Sequence, residues 1–65
     1  MSEKQKKAVE RFVTDWIQNH GRTSSPNMVM KIVTHCPFAH RKHASGMLSG
    51  LDKRGIITCK NGYVY

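Results

Sequence analysis

The dipeptide Asn61-Gly62 is the feature that most restricts how this chain can fold. It separates two short runs that are rich in β-branched and aromatic residues. A two-residue turn between antiparallel strands needs positive φ at both central positions, and asparagine and glycine adopt this most easily. We therefore predict a hairpin that pairs Lys60 with Tyr63. Because a lone hairpin is marginally stable in water, it must pack against the residues that precede it. The side chains expected on its inward face are Ile57, Cys59 and Val64.

The chain begins with an amphipathic helical pattern. Its apolar residues recur every three or four positions, which predicts a first helix over 3–20. Ser2 followed by Gln5 resembles a capping box at the start of this helix, and Gly21 supplies its end. In the polar connection that follows, Thr23 is a candidate start for a very short strand.

Proline residues delimit the second helical pattern. Ser25 followed by Pro26 predicts an N-cap and a first helical turn. The next proline predicts that this helix ends near His35, because the residue before a proline disfavours helical geometry. Met28 and Met30 are expected to flank the inward-facing stripe as gap-filling side chains. That stripe consists of Val29, Ile32 and Val33, with Cys36 as a further candidate.

The stretch 39–54 (AHRKHASGMLSGLDKR) predicts a third helix that follows almost directly. Phe38 is expected to fill the space between the second and third helices. The apolar residues of the third helix recur at the i, i+3, i+4, i+7 spacing of an amphipathic helix. They are Ala44, Met47, Leu48 and Leu51. The opposite face is cationic at both ends, small in the middle and free of acids. It contains Lys42, Gly46, Ser49 and Lys53, with Ala39 and Ser45 beside it.

Two glycines inside the third helix need a physical reason, because glycine in a helix interior costs about 1 kcal/mol relative to alanine. Gly46 lies on the exposed face, where it would allow a ligand to approach the backbone closely. Gly50 lies nearer the core, where it fits tight packing against a neighbouring helix. The sequence alone does not separate these two explanations.

The charge of the chain favours a polyanionic partner. The 65 residues suit a single small domain over 1–65, and eleven Lys and Arg against four Asp and Glu give a net charge of +7. Such an excess is most often associated with nucleic-acid binding. No apolar run is long enough for a membrane span and no secretory leader is visible. We therefore expect a reduced cytoplasmic setting and no membrane partner.

The order helix, polar link, helix, turn, helix, hairpin resembles that of the winged helix-turn-helix superfamily. The segment 47–65 (MLSGLDKRGIITCKNGYVY) carries the resemblance, because two leucines, a basic pair and a glycine lead into the hairpin. These residues are Leu48, Leu51, Lys53, Arg54 and Gly55. The resemblance implies an α+β fold, a three-helix winged helix-turn-helix with a short C-terminal β-hairpin wing.

The resemblance also implies a way of binding DNA. In that superfamily the third helix enters the major groove, and the wing touches the backbone or the minor groove. Carried over by position, Lys42, Ser45 and Ser49 would face bases and phosphates. His43 adds positive charge when it is protonated. The candidate nucleic-acid-binding residues are Arg41, Lys42, His43, Ser45, Gly46, Ser49, Lys53, Lys60 and Asn61, of which the last two would form the wing tip.

A zinc site is the main alternative use of the cysteines and histidines. It would recruit Cys36, His40, His43 and Cys59. Their spacing matches no zinc-binding pattern, and Cys59 would have to leave the inward face of the hairpin. We therefore expect no metal and no other cofactor. His40 is expected to be partly buried at the edge of the core.

Catalytic motifs are also missing from the sequence. The four acidic residues are not spaced to form a general acid/base pair, and there is neither a Gly-rich phosphate loop nor a nucleophile motif. A chain of this length has little volume in which to enclose a substrate. We expect neither an enzyme nor a small-molecule substrate.

These observations predict a double-stranded DNA-binding protein, acting as a small transcriptional regulator, with the third helix in the major groove. The alternative is a winged helix whose basic face binds and modulates an acidic protein, with Met28, Met30 and the wing tyrosines as anchors. A third option is RNA binding, in which Tyr63 and Tyr65 would stack on bases.

Overall fold

The computed structural model of the chain describes residues 2–65 and contains three helices and a small antiparallel sheet. The elements in chain order are α1 (Glu3–His20), β1 (Thr23–Ser24), α2 (Ser25–His35), α3 (Arg41–Lys53), β2 (Cys59–Lys60) and β3 (Tyr63–Val64). The strands lie in the order β1, β3, β2, so the last strand of the chain is the central one. This is the predicted α+β fold, a three-helix winged helix-turn-helix domain with a short C-terminal hairpin.

Both ends of α1 agree with the sequence pattern. The Ser2 hydroxyl accepts a hydrogen bond from the Gln5 backbone N–H at 3.2 Å, and the Gln5 side chain accepts one from the Ser2 N–H at 3.0 Å. At the other end, Gly21 has a φ of 82° and donates its N–H to the Ile17 carbonyl at 2.7 Å. These bonds satisfy backbone groups that helix ends leave unpaired. Neither α1 nor any other helix within residues 2–65 is long and apolar enough to cross a membrane.

The start of α2 differs by one residue from the prediction. Its N-cap is Ser24 rather than Ser25, and the Ser24 hydroxyl accepts a hydrogen bond from the Asn27 N–H at 3.4 Å. Ser24 also belongs to β1, which confirms the short strand at Thr23 and supplies the extended backbone that an N-cap requires. Ser25 instead donates its N–H to the Gly62 carbonyl at 2.8 Å.

The buried surface of α2 is broader than the single apolar stripe that the sequence indicated. This helix contacts α1, α3, β1 and β3, so more of its surface is covered than a single stripe. Met28 is fully buried rather than flanking, whereas Met30 is 48% exposed. The buried apolar residues are Val9, Val13, Met28, Ile32, Cys36, Ala39, Ala44, Leu48, Leu51, Ile57 and Val64.

The connection between α2 and α3 corrects two predictions. The third helix begins at Arg41 with His40 as its N-cap, so Ala39 precedes the helix and is buried instead of lying beside the exposed face. The Ala39 N–H donates to the Cys36 carbonyl at 2.9 Å, and this turn directs both of its end residues into the core. Phe38 lies between them and is 38% exposed, so it does not fill the space between the helices.

The hairpin forms as predicted. Asn61 and Gly62 have φ values of 55° and 80°, the positive values that a tight two-residue turn requires. The cross-strand pairs are Cys59 with Val64 and Lys60 with Tyr63. The other edge of β3 pairs with β1, and the Val64 side chain is fully buried against the helices.

Met28→Ala is expected to destabilise the domain strongly, and Met30→Ala on the same helix to have little effect. Truncation of a buried methionine costs about 2–5 kcal/mol, whereas the core of a domain this small rarely supplies more than about 3–5 kcal/mol. Urea unfolding followed by far-ultraviolet circular dichroism measures both variants. Equal unfolding midpoints for the two would contradict the assignment of Met28 to the core.

Candidate nucleic-acid interface

The side of α3 opposite the core is exposed along the length of the helix. Ala44, Leu48 and Leu51 are buried, and this directs the other side of the helix to solvent. No acidic residue lies in the first eleven positions of the helix, and Asp52 follows only near its end. The structure exposes every candidate residue of α3, namely Arg41, Lys42, His43, Ser45, Gly46, Ser49 and Lys53.

The N-terminus of α3 combines free backbone donors with positive side chains. His40, the N-cap residue, makes no side-chain capping hydrogen bond, and the first turn contains no acid. The first N–H groups of a helix have no acceptor within the helix, and the helix dipole makes this end positive. Here three successive basic side chains follow the cap, Arg41, Lys42 and His43. Basic side chains at this end are repelled by the positive end of the helix dipole. A bound anion would be attracted by both and would reduce this repulsion.

The positive charge is concentrated in the second part of the chain. Residues 1–20 carry four Lys or Arg and three Asp or Glu, whereas residues 21–65 carry seven and one. Within residues 2–65 the only ion pair joins Arg54 to Glu10 at 3.1 Å. Lys42, Lys53 and Lys60 therefore have no carboxylate partner in this part of the chain.

Arg41 contacts the middle of α2. Its Nη2 atom lies 3.2 Å from the Sδ atom of Met30. A thioether is only a weak acceptor, so this contact orients the guanidinium but leaves its other N–H groups available. Arg41 and Ser45 line a shallow depression together with Ser25 and Pro26. The basic face of α3 therefore extends onto the N-terminal turn of α2.

The wing tip is fixed in position by a backbone contact. Lys60 and Asn61 are exposed, as expected of a wing tip. The Gly62 carbonyl in the same turn accepts the hydrogen bond from the Ser25 N–H. Because this bond ties the turn to α2, the wing is short and is held against the helices. Ser25 thus lies between the depression beside Arg41 and the hairpin turn.

The two glycines of α3 have similar surroundings. A Cβ atom built on Gly46 or on Gly50 would meet nothing within 4 Å. The tight-packing explanation for Gly50 is therefore wrong, since a side chain there would have room. Gly46 lies on the exposed face between Lys42 and Lys53. Close approach of a ligand to the backbone therefore still explains a glycine at position 46, but it does not explain the one at position 50.

The residues of the zinc alternative are dispersed. Residues 2–65 contain no group of three His, Cys, Asp or Glu that could hold a metal ion. His40 is exposed rather than partly buried, because it precedes α3 on the outside of the turn. The centres of the His40 and His43 rings are 5.8 Å apart. The Cys59 thiol lies 3.8 Å from the Leu48 carbonyl, and burial raises the pKa of both cysteines.

Two features of this region change or extend the sequence-based interpretation. Met28 is fully buried, so it cannot anchor a protein partner.

Arg22 was not among the candidate residues, yet its guanidinium carbon lies 4.6 Å from the centre of the Tyr63 ring. The sequence signal for this contact was the short strand at Thr23, since its pairing with β3 brings Arg22 beside the wing.

Comparison with protein-family profiles, curated protein sequences and solved structures found no match to this chain.

The two thiols are expected to react slowly with iodoacetamide in the folded protein. Burial raises the pKa of Cys36 and of Cys59, and the Asp52 carboxylate raises that of Cys59 further. Because the thiolate is the reactive form, alkylation should need a higher pH than in urea-unfolded protein. Asp52→Asn should accelerate alkylation of Cys59 but not of Cys36, as measured by mass spectrometry of the peptides. Equal acceleration of both thiols would indicate general loosening instead.

Proposed function

We propose that this domain belongs to the winged helix-turn-helix superfamily and binds double-stranded DNA by inserting α3 into the major groove. The observation that carries the proposal is the exposed, acid-free face of α3, which begins at an uncapped N-terminus bearing three successive basic residues. Such a face is electrostatically unfavourable in the free protein and is complementary to a row of phosphates.

The dimensions of α3 suit this mode of binding. A helix of thirteen residues is about 20 Å long and, with its side chains, about 10–12 Å wide. The major groove of B-DNA is about 12 Å wide and admits one such helix. Glycine and serine in the middle of the exposed face keep the helix slim where it approaches the base edges. These are Ser45, Gly46 and Ser49.

Each exposed residue then has a role that follows from its chemistry. Lys42, at the N-terminal end of the exposed face, is suited to a guanine edge or a phosphate, and the serine hydroxyls are suited to base edges. Arg41 and Lys53, at the two ends of the helix, are suited to phosphates on either side of the groove. Lys60 and Asn61 would meet the neighbouring backbone from the fixed wing.

A small domain that binds DNA in this way is suited to transcriptional regulation. Binding would occupy one groove segment and exclude other proteins from it. This role would locate the protein in the cytoplasm with the DNA. The domain acts as a binding module, with no enzymatic step and no cofactor.

The double substitution Arg41→Ala and Lys42→Ala is expected to weaken binding to a short duplex of mixed sequence. Each lost phosphate contact should reduce the slope of log affinity against log salt by about 0.9, so the slope should flatten by about 2. Fluorescence anisotropy at several salt concentrations measures both quantities. The matched control is Lys4→Ala with Lys7→Ala, which removes the same charge from exposed positions of α1.

Equal effects of the two double variants would show that only net charge matters and would contradict groove binding by α3. If the folded wild-type protein did not bind duplex at moderate salt but captured one acidic protein, the basic face would serve a protein partner instead. Circular dichroism of each variant confirms that it remains folded.

Gly46→Ala and Gly50→Ala form a second matched pair. Both should stabilise α3 by up to about 1 kcal/mol, since alanine is the better helix former and both sites have room for a methyl group. Only Gly46→Ala should reduce duplex affinity, because only that position lies on the proposed contact face. Urea unfolding and anisotropy measure the two effects separately. Equal duplex affinities for the two variants would exclude close backbone approach at Gly46.

A further inference from the structure

The outer face of the sheet exposes two aromatic rings on the same side. Tyr63 and Tyr65 are 43% and 46% exposed, whereas Val64 between them is fully buried. Alternate residues of a strand point to the same face, and two residues span about 7 Å. The two rings are thus presented side by side to solvent, on the face that does not pack against the helices.

Cations lie on both sides of Tyr63. The Arg22 guanidinium covers part of the Tyr63 ring from the β1 side of the sheet. Lys60 pairs with Tyr63 from the β2 side. Arg22, Lys60, Asn61 and both tyrosines line one shallow depression. Within residues 2–65 neither Arg22 nor Lys60 forms an ion pair, and no acidic side chain belongs to the sheet.

This combination is unlike the usual outer face of an antiparallel sheet. Such a face is normally polar and solvated, with isolated apolar residues that need no explanation. Here two tyrosines share one depression with two cations that form no ion pair within residues 2–65, and Tyr63 lies between these cations. Aromatic rings that alternate with cations are the elements with which proteins hold single-stranded nucleic acid, because bases stack on the rings and phosphates meet the charges.

We propose that this sheet face binds unpaired bases of a DNA strand that extends from the duplex held by α3. The tyrosine spacing of about 7 Å is twice the 3.4 Å rise per nucleotide of a stacked strand. It therefore suits bases that are splayed apart, each on its own ring. The inference rests on the proposed function and names its substrate more closely as a junction between duplex and single-stranded DNA.

The two surfaces approach each other at the start of α2. Ser25 lines the depression beside Arg41, and its N–H holds the hairpin turn through the Gly62 carbonyl. The whole domain measures 28 × 22 × 21 Å. About six stacked nucleotides, at 3.4 Å each, span the shortest dimension of the domain, so a tail of ten nucleotides is long enough to reach the sheet from the groove beside Arg41.

The test compares four DNA probes in fluorescence anisotropy. They are a blunt duplex, the same duplex with a ten-nucleotide 5′ tail, the same duplex with a 3′ tail of equal length, and the tail alone. At least one tailed duplex should bind about 10-fold more tightly than the blunt duplex, within the range reported for stacking on one or two aromatic residues. If neither tail increases the affinity, the proposal is wrong.

Tyrosine variants separate stacking from the extra charge of the tail. Tyr63→Thr with Tyr65→Thr removes the rings and keeps β-favouring residues, so it should abolish the gain from the tail. Tyr63→Phe with Tyr65→Phe keeps the rings and should retain the gain. If the folded threonine variant still binds the tailed duplex more tightly than the blunt duplex, as the wild type does, stacking is excluded.

The same probes distinguish failure of this inference from failure of the proposed function. The threonine variant should leave affinity for the blunt duplex unchanged, whereas Arg41→Ala with Lys42→Ala should reduce it. Binding of the blunt duplex without any gain from a tail would support groove binding and overturn the sheet site. Tyrosine-dependent binding of the tail alone, with no binding of the blunt duplex, would support the sheet site and overturn groove binding.

Discussion

Burial of one side of α3 is the constraint on which the rest of the structure depends. Ala44, Leu48 and Leu51 pack into the core, and because a helix is rigid their burial orients the opposite side towards solvent. The same helix supports the wing, since the Cys59 thiol lies against the Leu48 carbonyl. A core this small has little stability in reserve, so both the basic face and the wing depend on the same few apolar contacts.

The charges at the N-terminus of α3 do not stabilise the helix. A stable helix places acids and a capping side chain at its N-terminus, where they complement the dipole. This helix has basic side chains there and no side-chain cap. Each unfavourable charge costs a few tenths of a kcal/mol to about 1 kcal/mol. α1, in contrast, has a complete capping box. This difference between two helices of one short chain is the electrostatic argument for the proposed binding of DNA phosphates by α3.

The hydrogen bond between Ser25 and Gly62 fixes the position of the wing. It ties the hairpin turn to the first turn of α2, and the pairing of β1 with β3 makes the hairpin part of a three-stranded sheet. The wing is therefore a fixed surface. On its outer side the Arg22 guanidinium lies over the Tyr63 ring, and Ser25, which anchors the turn, also lines the depression beside Arg41.

Local interactions explain what the sequence by itself determined: the bounds of α1, the end of α2 and the register of the hairpin. Capping, proline geometry and the turn at Asn61 each act within a few residues, so their patterns can be recognised in the sequence. Only the tertiary structure decided that Met28 rather than Met30 is buried, that Ala39 rather than Phe38 fills the core, and that Arg22 meets the wing. The physical reason is that burial and cross-strand contact depend on which distant elements pack together; a local pattern can indicate a strand at Thr23 but not the strand with which it pairs.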